Sequence, residues 1–481
     1  MATKMEWTGP DVLAATEGEL VCGCGDFCFS GVSIDSRTVR PSHLFVAVQG
    51  GHHDGHDFIT DVLEIGGKGF VVAKACQSTL IERIKSAGAF CLAVDDTVRA
   101  LGALARYRRR QSGLIIVAIT GTNGKTSTKE MTARVLEKRY RVLATAGNYN
   151  NEIGLPLTLL RLEDSHQVGV LEMGMNAPGE IARLTGICEP DIGVVLNVGE
   201  GHLAGLGNID NVARAKEELV DVMGGNGAVV LNADDPRVLA MAGKSTGRVV
   251  TFGQESRGDV RALLSRPEDG GFVFDMLLPG QVAPVPVRLN GYGRHLVSNA
   301  LAAAAVGMLL DVPAASIAEG LGRFAPVPGR MTVIRTTAGF YVVDDTYNAN
   351  PASMRAAMET LKELKGRRSA FLVFGDMYEL GEQAPFLHRA VGRWAAENEI
   401  DMLLTVGEYA ETTAEGAVGA GMAKEKIVCG TKERVVATLK TAVRSGDWVL
   451  VKGSRAMTME TVVAAIVEAG GGVAERPERL G

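Results

Sequence analysis

The 481-residue chain has few aromatic side chains, no long apolar run and no excess of basic charge, and each shortage closes off a class of function. Aromatics make up 5% of the residues while Gly occurs 59 times, a mix that suits α/β units joined by tight turns rather than a fibre or a disordered chain. The formal net charge of −6 argues against a general nucleic-acid binder, because counterion release needs a basic face. The one basic cluster, Arg106, Arg108, Arg109 and Arg110, reads as the cationic C-terminus of a helix. The longest apolar stretch, Ala300 to Leu310, falls well short of the ~20 residues of a membrane span. The first residues, Met1 to Pro10, carry Lys4, Glu6 and Trp7 in place of the apolar core of a secretory signal. Seven cysteines, an odd number, read as reduced thiols, and a cytoplasmic setting is expected. Cys22, Cys24 and Cys28 match no standard zinc spacing and lack a fourth ligand, so they read as thiols in a Gly-rich turn region.

What is present has the texture of three α/β units. In the first, residues 1–111, short β-type runs at Leu44–Val48, Gly69–Ala73 and Phe90–Val94 separate helical segments. The second, 112–326, opens with Leu114–Thr120, an apolar and β-branched run that reads as a buried parallel strand. Val168–Met173, Ile192–Val198 and Ala228–Asn232 continue the alternation, and Arg294–Leu310 reads as a long Ala-rich helix. After Pro326 and Pro328 the third, 327–481, places strands at Tyr341–Asp344, Ser369–Phe374, Met402–Val406 and Trp448–Val451. The expected fold is therefore α/β throughout: a small N-terminal domain, a central P-loop-type, mostly parallel sheet, and a Rossmann-like C-terminal domain.

The strongest chemical signal is Thr120-Gly-Thr-Asn-Gly-Lys-Thr126, directly after a buried strand and before a helical pattern. Glycines let the backbone wrap a phosphate, and the helix N-terminus aims free N–H groups at the anion. Lys125 then balances β/γ-phosphate charge, and Thr126, with Ser127 beside it, offers a hydroxyl to magnesium. The standard loop has Gly five residues before the second Gly, where this chain has Ile119, so the loop is a shortened variant turned by Gly121. Glu172, in Leu171-Glu-Met-Gly174, and His202, in Glu200-Gly-His-Leu203, lie at the ends of two strands, on the edge where open α/β sheets bind ligands.

This loop resembles the ATP loop of the Mur ligases and their folylpolyglutamate synthetase relatives. The resemblance implies an ATP-dependent ligase in which a substrate carboxylate becomes an acyl phosphate and an amine then attacks it. It implies two magnesium ions held through Thr126, Glu172, His202 and Lys216, the last, in Ala213-Arg-Ala-Lys-Glu-Glu218, as a carbamate formed with carbon dioxide. It implies Lys125, Lys216, His202 and Glu172 as the catalytic set, and Thr120, Gly121, Thr122, Asn123, Gly124, Lys125, Thr126 and Ser127 as the nucleotide loop. Further nucleotide contacts are implied at Asn290, His295 and Asn299, within Leu289 to Asn299, and at Arg330.

The first unit's Asp35-Ser-Arg37 and His53-Asp-Gly-His-Asp-Phe58 resemble the uridine-nucleotide domain of the branches adding the third residue and the terminal dipeptide. Ser36, Arg37, Asp54 and His56 are implied there, with His52 and His53 as loop residues. Later motifs resemble the dipeptide-adding branch: Gly147-Asn-Tyr-Asn-Asn-Glu-Ile-Gly154, Asp344-Asp-Thr-Tyr-Asn-Ala-Asn-Pro351, Gly375-Asp-Met-Tyr-Glu-Leu-Gly381 and Lys452-Gly-Ser-Arg455. Asn148, Asn150 and Asn151 would meet the sugar-peptide, and Asp345, Tyr347, Asn348 and Asn350 the dipeptide, with Lys452, Ser454 and Arg455. The implied substrates are a UDP-N-acetylmuramoyl-tripeptide and D-alanyl-D-alanine, the product a cell-wall (peptidoglycan) precursor, and the working form a monomer. Two alternatives stay open: the third-residue ligase, and a nucleotide-gated binding module that closes without ligation.

Overall fold

A computed structural model describes residues 6–51, 53–225, 227–268 and 270–474, so His52 and the first five residues lie outside the described part. Three large sheets organise the chain, beside a two-stranded antiparallel ribbon that pairs Trp7–Thr8 with Cys28–Phe29. The first has five strands, β1 (Glu19–Cys22), β2 (Gly31–Ser33), β3 (His43–Val46), β4 (Gly69–Ala73) and β5 (Phe90–Val94), in the order β1-β5-β4-β3-β2. Only β1 runs antiparallel to its neighbour. Phe45, Phe70 and Phe90, on its strands, are fully buried.

The nine-stranded central sheet is built from β6 (Ile115–Thr120), β7 (Val142–Ala144), β8 (Val168–Glu172), β9 (Ile192–Val195), β10 (Ala228–Asn232), β11 (Arg248–Gly253), β12 (Val260–Glu268), β13 (Gly271–Leu277) and β14 (Val285–Asn290). Its order is β14-β13-β12-β11-β10-β9-β6-β8-β7. From β7 to β12 the neighbours are parallel, while β12 to β14 form an antiparallel arm. The apolar runs read from the sequence are the parallel strands, buried on both faces as such strands must be. The chain leaves β6 toward β8 and β7, then crosses back to β9. The carboxyl end of β6 is therefore a switch point where ligands bind in open sheets. The Ala-rich helix runs His295–Leu309 and is buried along nearly its whole length.

The third sheet carries β15 (Thr332–Arg335), β16 (Tyr341–Asp345), β17 (Ala370–Gly375), β18 (Met402–Val406), β19 (Ile427–Cys429) and β20 (Trp448–Lys452), ordered β15-β16-β20-β17-β18-β19. All pairs but β15 with β16 are parallel. Among the described residues no helix is long and apolar enough to cross a membrane.

The arginine cluster does end a helix, Thr97–Arg110, but its side chains work elsewhere. Arg109 donates to the carbonyls of Cys188 and Glu189, and Arg106 and Arg110 pair with the Glu189 carboxylate. They thus cap the C-terminus of the central helix Glu180–Cys188, where the dipole favours cations, and dock the first sheet's last helix on the second sheet. Arg108, buried, donates to Leu162 O.

Candidate active site at the phosphate loop

At the end of β6 the chain turns through Gly121 and enters the helix Lys125–Leu136 at Gly124. Gly124 has φ 84°, and a Cβ there would lie 2.4 Å from Asn299 Oδ1. Only glycine satisfies both the conformation and the close approach. Asn197, just past β9, clamps the loop: its Oδ1 accepts the Asn123 N–H at 2.8 Å, and its Nδ2 donates to Asn123 O at 3.0 Å. Thr122 is tied to Gly199 by a hydrogen bond from Gly199 N, and Thr120 Oγ1 donates to Met173 O. The first N–H groups of the helix, at Lys125, Thr126 and Ser127, have no intrahelical partner, which leaves an anion cradle.

The carboxyl ends of β6 and β8 converge on one polar cluster. Thr126 Oγ1 donates to Glu172 Oε2 at 2.8 Å, and Asn150 Nδ2 donates to Glu172 Oε1 at 2.8 Å. Lys125 Nζ donates to Gly121 O at 2.7 Å. Burial pushes the Lys125 ammonium below its usual range, with Glu172 opposing and Arg330 adding to the push. Lys216, 1% exposed on the helix Ile209–Met223, has neither a hydrogen bond nor an ion pair among the described residues. Burial, and then the Lys125 charge, holds it well below the ordinary lysine range.

This cluster opens into a cavity of about 1090 Å³ lined from all three sheets. Gln49, Gly50 and Gly51 reach it from the first, residues of the Asn148–Ile153 loop from the second, and Gly329–Met331, Asp345, Tyr347–Asn350 and Ser454–Ala456 from the third. His295, Ser298 and Asn299 line it beside Asn232 and Phe252. Burial lowers the His295 pKa. Arg330 lies over the Tyr347 ring, its Cζ 4.0 Å from the centroid. Two bridges span the central and third sheets. Asn123 and Asn350 exchange amide hydrogen bonds, Asn350 Nδ2 donating to Asn123 Oδ1 at 2.8 Å. His202 Nδ1 faces Glu379 Oε2 at 2.7 Å, and Ala204 N donates to Glu379 O. That pairing lowers the Glu379 pKa against the opposing effect of burial.

Several residues singled out in the sequence turn out to be committed to the protein itself. Asp345 accepts from Met331 N and, at 2.5 Å, from Lys452 Nζ, while Lys452 also donates to Asn348 O. Asn151 Oδ1 accepts from Ile153 N and Gly154 N. Asn350 caps the helix Pro351–Lys365. Ser454 Oγ accepts from Tyr378 N, and Arg455 pairs with Glu460. Asn290 does not line the cavity: its Nδ2 donates to Gly322 O and Phe324 O. Ser36, Arg37, Asp54 and His56 lie outside the cavity too. Arg37 pairs with Asp35 in the open. His56 Nδ1 is 2.5 Å from Asp54 Oδ1, and its Nε2 accepts from Ala73 N at the end of β4, so both ring nitrogens are used in tying the loop to the sheet.

Asn197 and the Gln49–Gly51 loop line the cavity without having been singled out in the sequence, where Glu379 stood only inside a motif. Asn197 was findable, since it follows a strand ending on the ligand edge. The Gln49 loop carries no local signal.

Residues 29–109 match the description "Mur ligase family, catalytic domain", 119–307 "Mur ligase middle domain", and 329–455 "Mur ligase, glutamate ligase domain". The chain is 37% identical to the UDP-N-acetylmuramoyl-tripeptide–D-alanyl-D-alanine ligase of Escherichia coli (strain K12), across 92% of this chain and 95% of that one. The chain belongs to the Mur ligase family. Its counterpart of the same name in Bacillus subtilis (strain 168) is 33% identical over 91% of this chain and 93% of its own length. Among solved Mur ligases, a crystal structure of MurF from Acinetobacter baumannii superimposes with a TM-score of 0.88 at 32% identity, covering 96% and 99% of the two chains. The MurF ligase from Thermotoga maritima, solved in complex with ADP, gives 0.80 at 29%, covering 92% and 98%.

Proposed function

We propose that this Mur ligase uses ATP to join D-alanyl-D-alanine to a UDP-N-acetylmuramoyl-tripeptide, in the cytoplasm, yielding the UDP-muramoyl-pentapeptide of peptidoglycan synthesis with ADP and phosphate. The observation that carries this reading is one cavity holding the phosphate loop, the Thr126–Glu172 pair and the third sheet's Asp345–Asn350 loop, alongside relatives named for this reaction. The three sheets support the division into a uridine-nucleotide unit, 1–111, an ATP unit, 112–326, and a dipeptide unit, 327–481.

The triphosphate lies on the N–H groups of Lys125 to Ser127, with the adenosine toward Asn232, Phe252 and His295. Lys125 and Arg330 balance phosphate charge. The donor set suits magnesium, which takes a carboxylate, a hydroxyl and phosphate oxygens rather than a cage of protein ligands. Thr126 and Glu172 already stand 2.8 Å apart, and among the described residues no group of three or more His, Cys, Asp or Glu forms a metal site by itself. Magnesium, two ions in this proposal, supplies charge neutralisation for the transferring phosphoryl group. His202 and Lys216 would complete the ligands. Lys216 is suited to carbamate formation because a buried, unpartnered amine is neutral more often, and the neutral amine attacks carbon dioxide.

In the first step a peptide carboxylate oxygen takes the γ-phosphoryl group and ADP leaves. In the second the neutral amine of D-alanyl-D-alanine attacks the acyl carbon, the nitrogen loses a proton, and phosphate departs with the amide formed. Asn148, on the loop whose Asn150 holds Glu172, faces the muramoyl peptide. Tyr347 and Asn348 face the dipeptide, Arg455 would leave its exposed pair with Glu460 for the dipeptide carboxylate, and the Asn123–Asn350 and His202–Glu379 bridges bring the third unit over the phosphates, excluding water from the acyl phosphate. The test is phosphate release from MgATP with the UDP-tripeptide, with and without D-alanyl-D-alanine. Release that needs both, with a pentapeptide mass, is expected. Release with a diamino acid and a UDP-dipeptide instead would assign the third-residue reaction, and ATP binding without release would leave a gated binding module.

A further inference from the structure

Lys129 lies one turn beyond Lys125 on the helix that leaves the phosphate loop, yet its ammonium is hydrogen-bonded to Thr145 rather than to that loop. It is 1% exposed, its Nζ donates to Thr145 O at 2.7 Å, and its one counter-charge is Glu130 at 2.8 Å. Burying an ammonium costs several kcal/mol, and an apolar side chain of similar length often serves packing as well or better. Stability alone therefore does not account for a lysine here.

What it holds is the joint between the sheet and the asparagine loop. Thr145 follows β7; its N–H donates to Val170 O, its hydroxyl accepts the Glu172 N–H at 3.1 Å, and its carbonyl takes the Lys129 bond. Past Thr145 the chain runs out through Asn148 and returns at Asn150, whose amide grips the Glu172 carboxylate and whose carbonyl accepts the Gly174 N–H. The return is tight, since a Cβ on Gly174 would meet Asn150 Oδ1 at 2.9 Å. One ammonium thus fixes the residue from which both the backbone of Glu172 and the loop around its side chain are referenced.

We propose that Lys129 is a positioning residue for the ligase reaction, pinning Thr145 so that the Glu172 carboxylate and the Asn148–Asn151 loop keep the geometry the muramoyl substrate and magnesium require. The proposal rests on the ligase reading given above. It is tested in the full chain with Lys129→Met, which keeps the volume and removes the donors. Four quantities are read: thermal unfolding without ligands, the separate KM values for UDP-tripeptide and for D-alanyl-D-alanine, and the magnesium dependence of ADP binding by calorimetry. The expected result is an unfolding midpoint at or above the parent's, with the UDP-tripeptide KM and the magnesium requirement each raised about tenfold, the scale typical of groups that orient metal ligands. The dipeptide KM, set by the third unit, stays at the parent value. A lowered midpoint with both KM values and the magnesium requirement unchanged would make Lys129 a fold residue only and overturn the proposal, as would equal rises in all three. If Lys129→Met does not fold, Thr145→Val removes only the acceptor of the Glu172 N–H. It is expected to raise the magnesium requirement, and an unchanged requirement would overturn the proposal. Should the parent release no dipeptide-dependent phosphate, the ligase reading fails by itself, and the magnesium–ADP titration still decides the role of Lys129.

Discussion

His56 in the first unit and Lys216 in the central unit are both buried polar groups, and their surroundings treat them in opposite ways. His56 has a partner on each ring nitrogen, Asp54 and the Ala73 N–H, all within one loop and its adjoining strand. Lys216 has none among the described residues and faces a second cation, Lys125. A buried group whose bonds are satisfied holds a loop in shape; one left unsatisfied raises the energy of the fold and is retained for chemistry. Lys452 belongs with His56, since Asp345 neutralises it, and so does His388, whose Nε2 accepts the Met377 N–H while Nδ1 lies 2.7 Å from Ala384 O.

The sharpest way to break this contrast is Lys216→Met. Removing a buried amine that has no partner is expected to leave unfolding by urea unchanged or shifted to higher urea, while turnover in the phosphate-release assay falls by about 10² to 10³. Lost stability would put Lys216 with the satisfied groups. Lys452→Met does the reverse, because it strands the Asp345 carboxylate. A loss of about 3–5 kcal/mol is expected in the same unfolding experiment, most of it recovered in Asp345→Asn/Lys452→Met.

His388 predicts a smaller, pH-dependent effect. Burial lowers its pKa in the folded chain, so below the usual histidine value of about 6.5 the unfolded chain binds more protons. Its contribution is full above that pH and is lost as pH falls from there toward the folded value. The urea midpoint of the parent should therefore drop between pH 7.5 and 5.5 by more than that of His388→Gln, and equal drops would show that another group carries the dependence. Arg37→Ala, at an exposed pair, marks the small end. No change in the unfolding midpoint at neutral pH is expected, while Asp35, held by Arg37 at about 2, should titrate back toward the usual carboxylate range by NMR. A shifted midpoint would mean that the pair does more than shape its turn.

The parallel strands and the phosphate loop were legible because their signals are local. Gly69–Ala73, Phe90–Val94, Ala228–Asn232 and Met402–Val406 fall where apolar, β-rich runs put them. The antiparallel arm from β12 to β14 was not read. Val260–Glu268 is mostly exposed, shifts register between Leu263 and Arg266, and has Leu264 at φ 53°, so no clean alternation survives. The arginines of the first unit were placed correctly at a helix end, but a long side chain chooses its partner in space, and theirs is Glu189 of another helix.

By itself the sequence determined where the glycine-turned loop and its open helix N-terminus form, since strand, glycine turn, lysine and helix start are contiguous and their geometry follows from backbone sterics. It also determined which side chains could contribute oxygen or charge. Only the tertiary structure decided which of them are spent on the fold away from the cavity, as Asn290 and His56 are, and which line it. It alone brought Asn350 to Asn123 across 227 residues of chain and left Lys216 without a partner. The physical reason is that hydrogen bonds and desolvation depend on what lies within a few ångströms, and that neighbourhood is set by the packing of sheets distant in sequence.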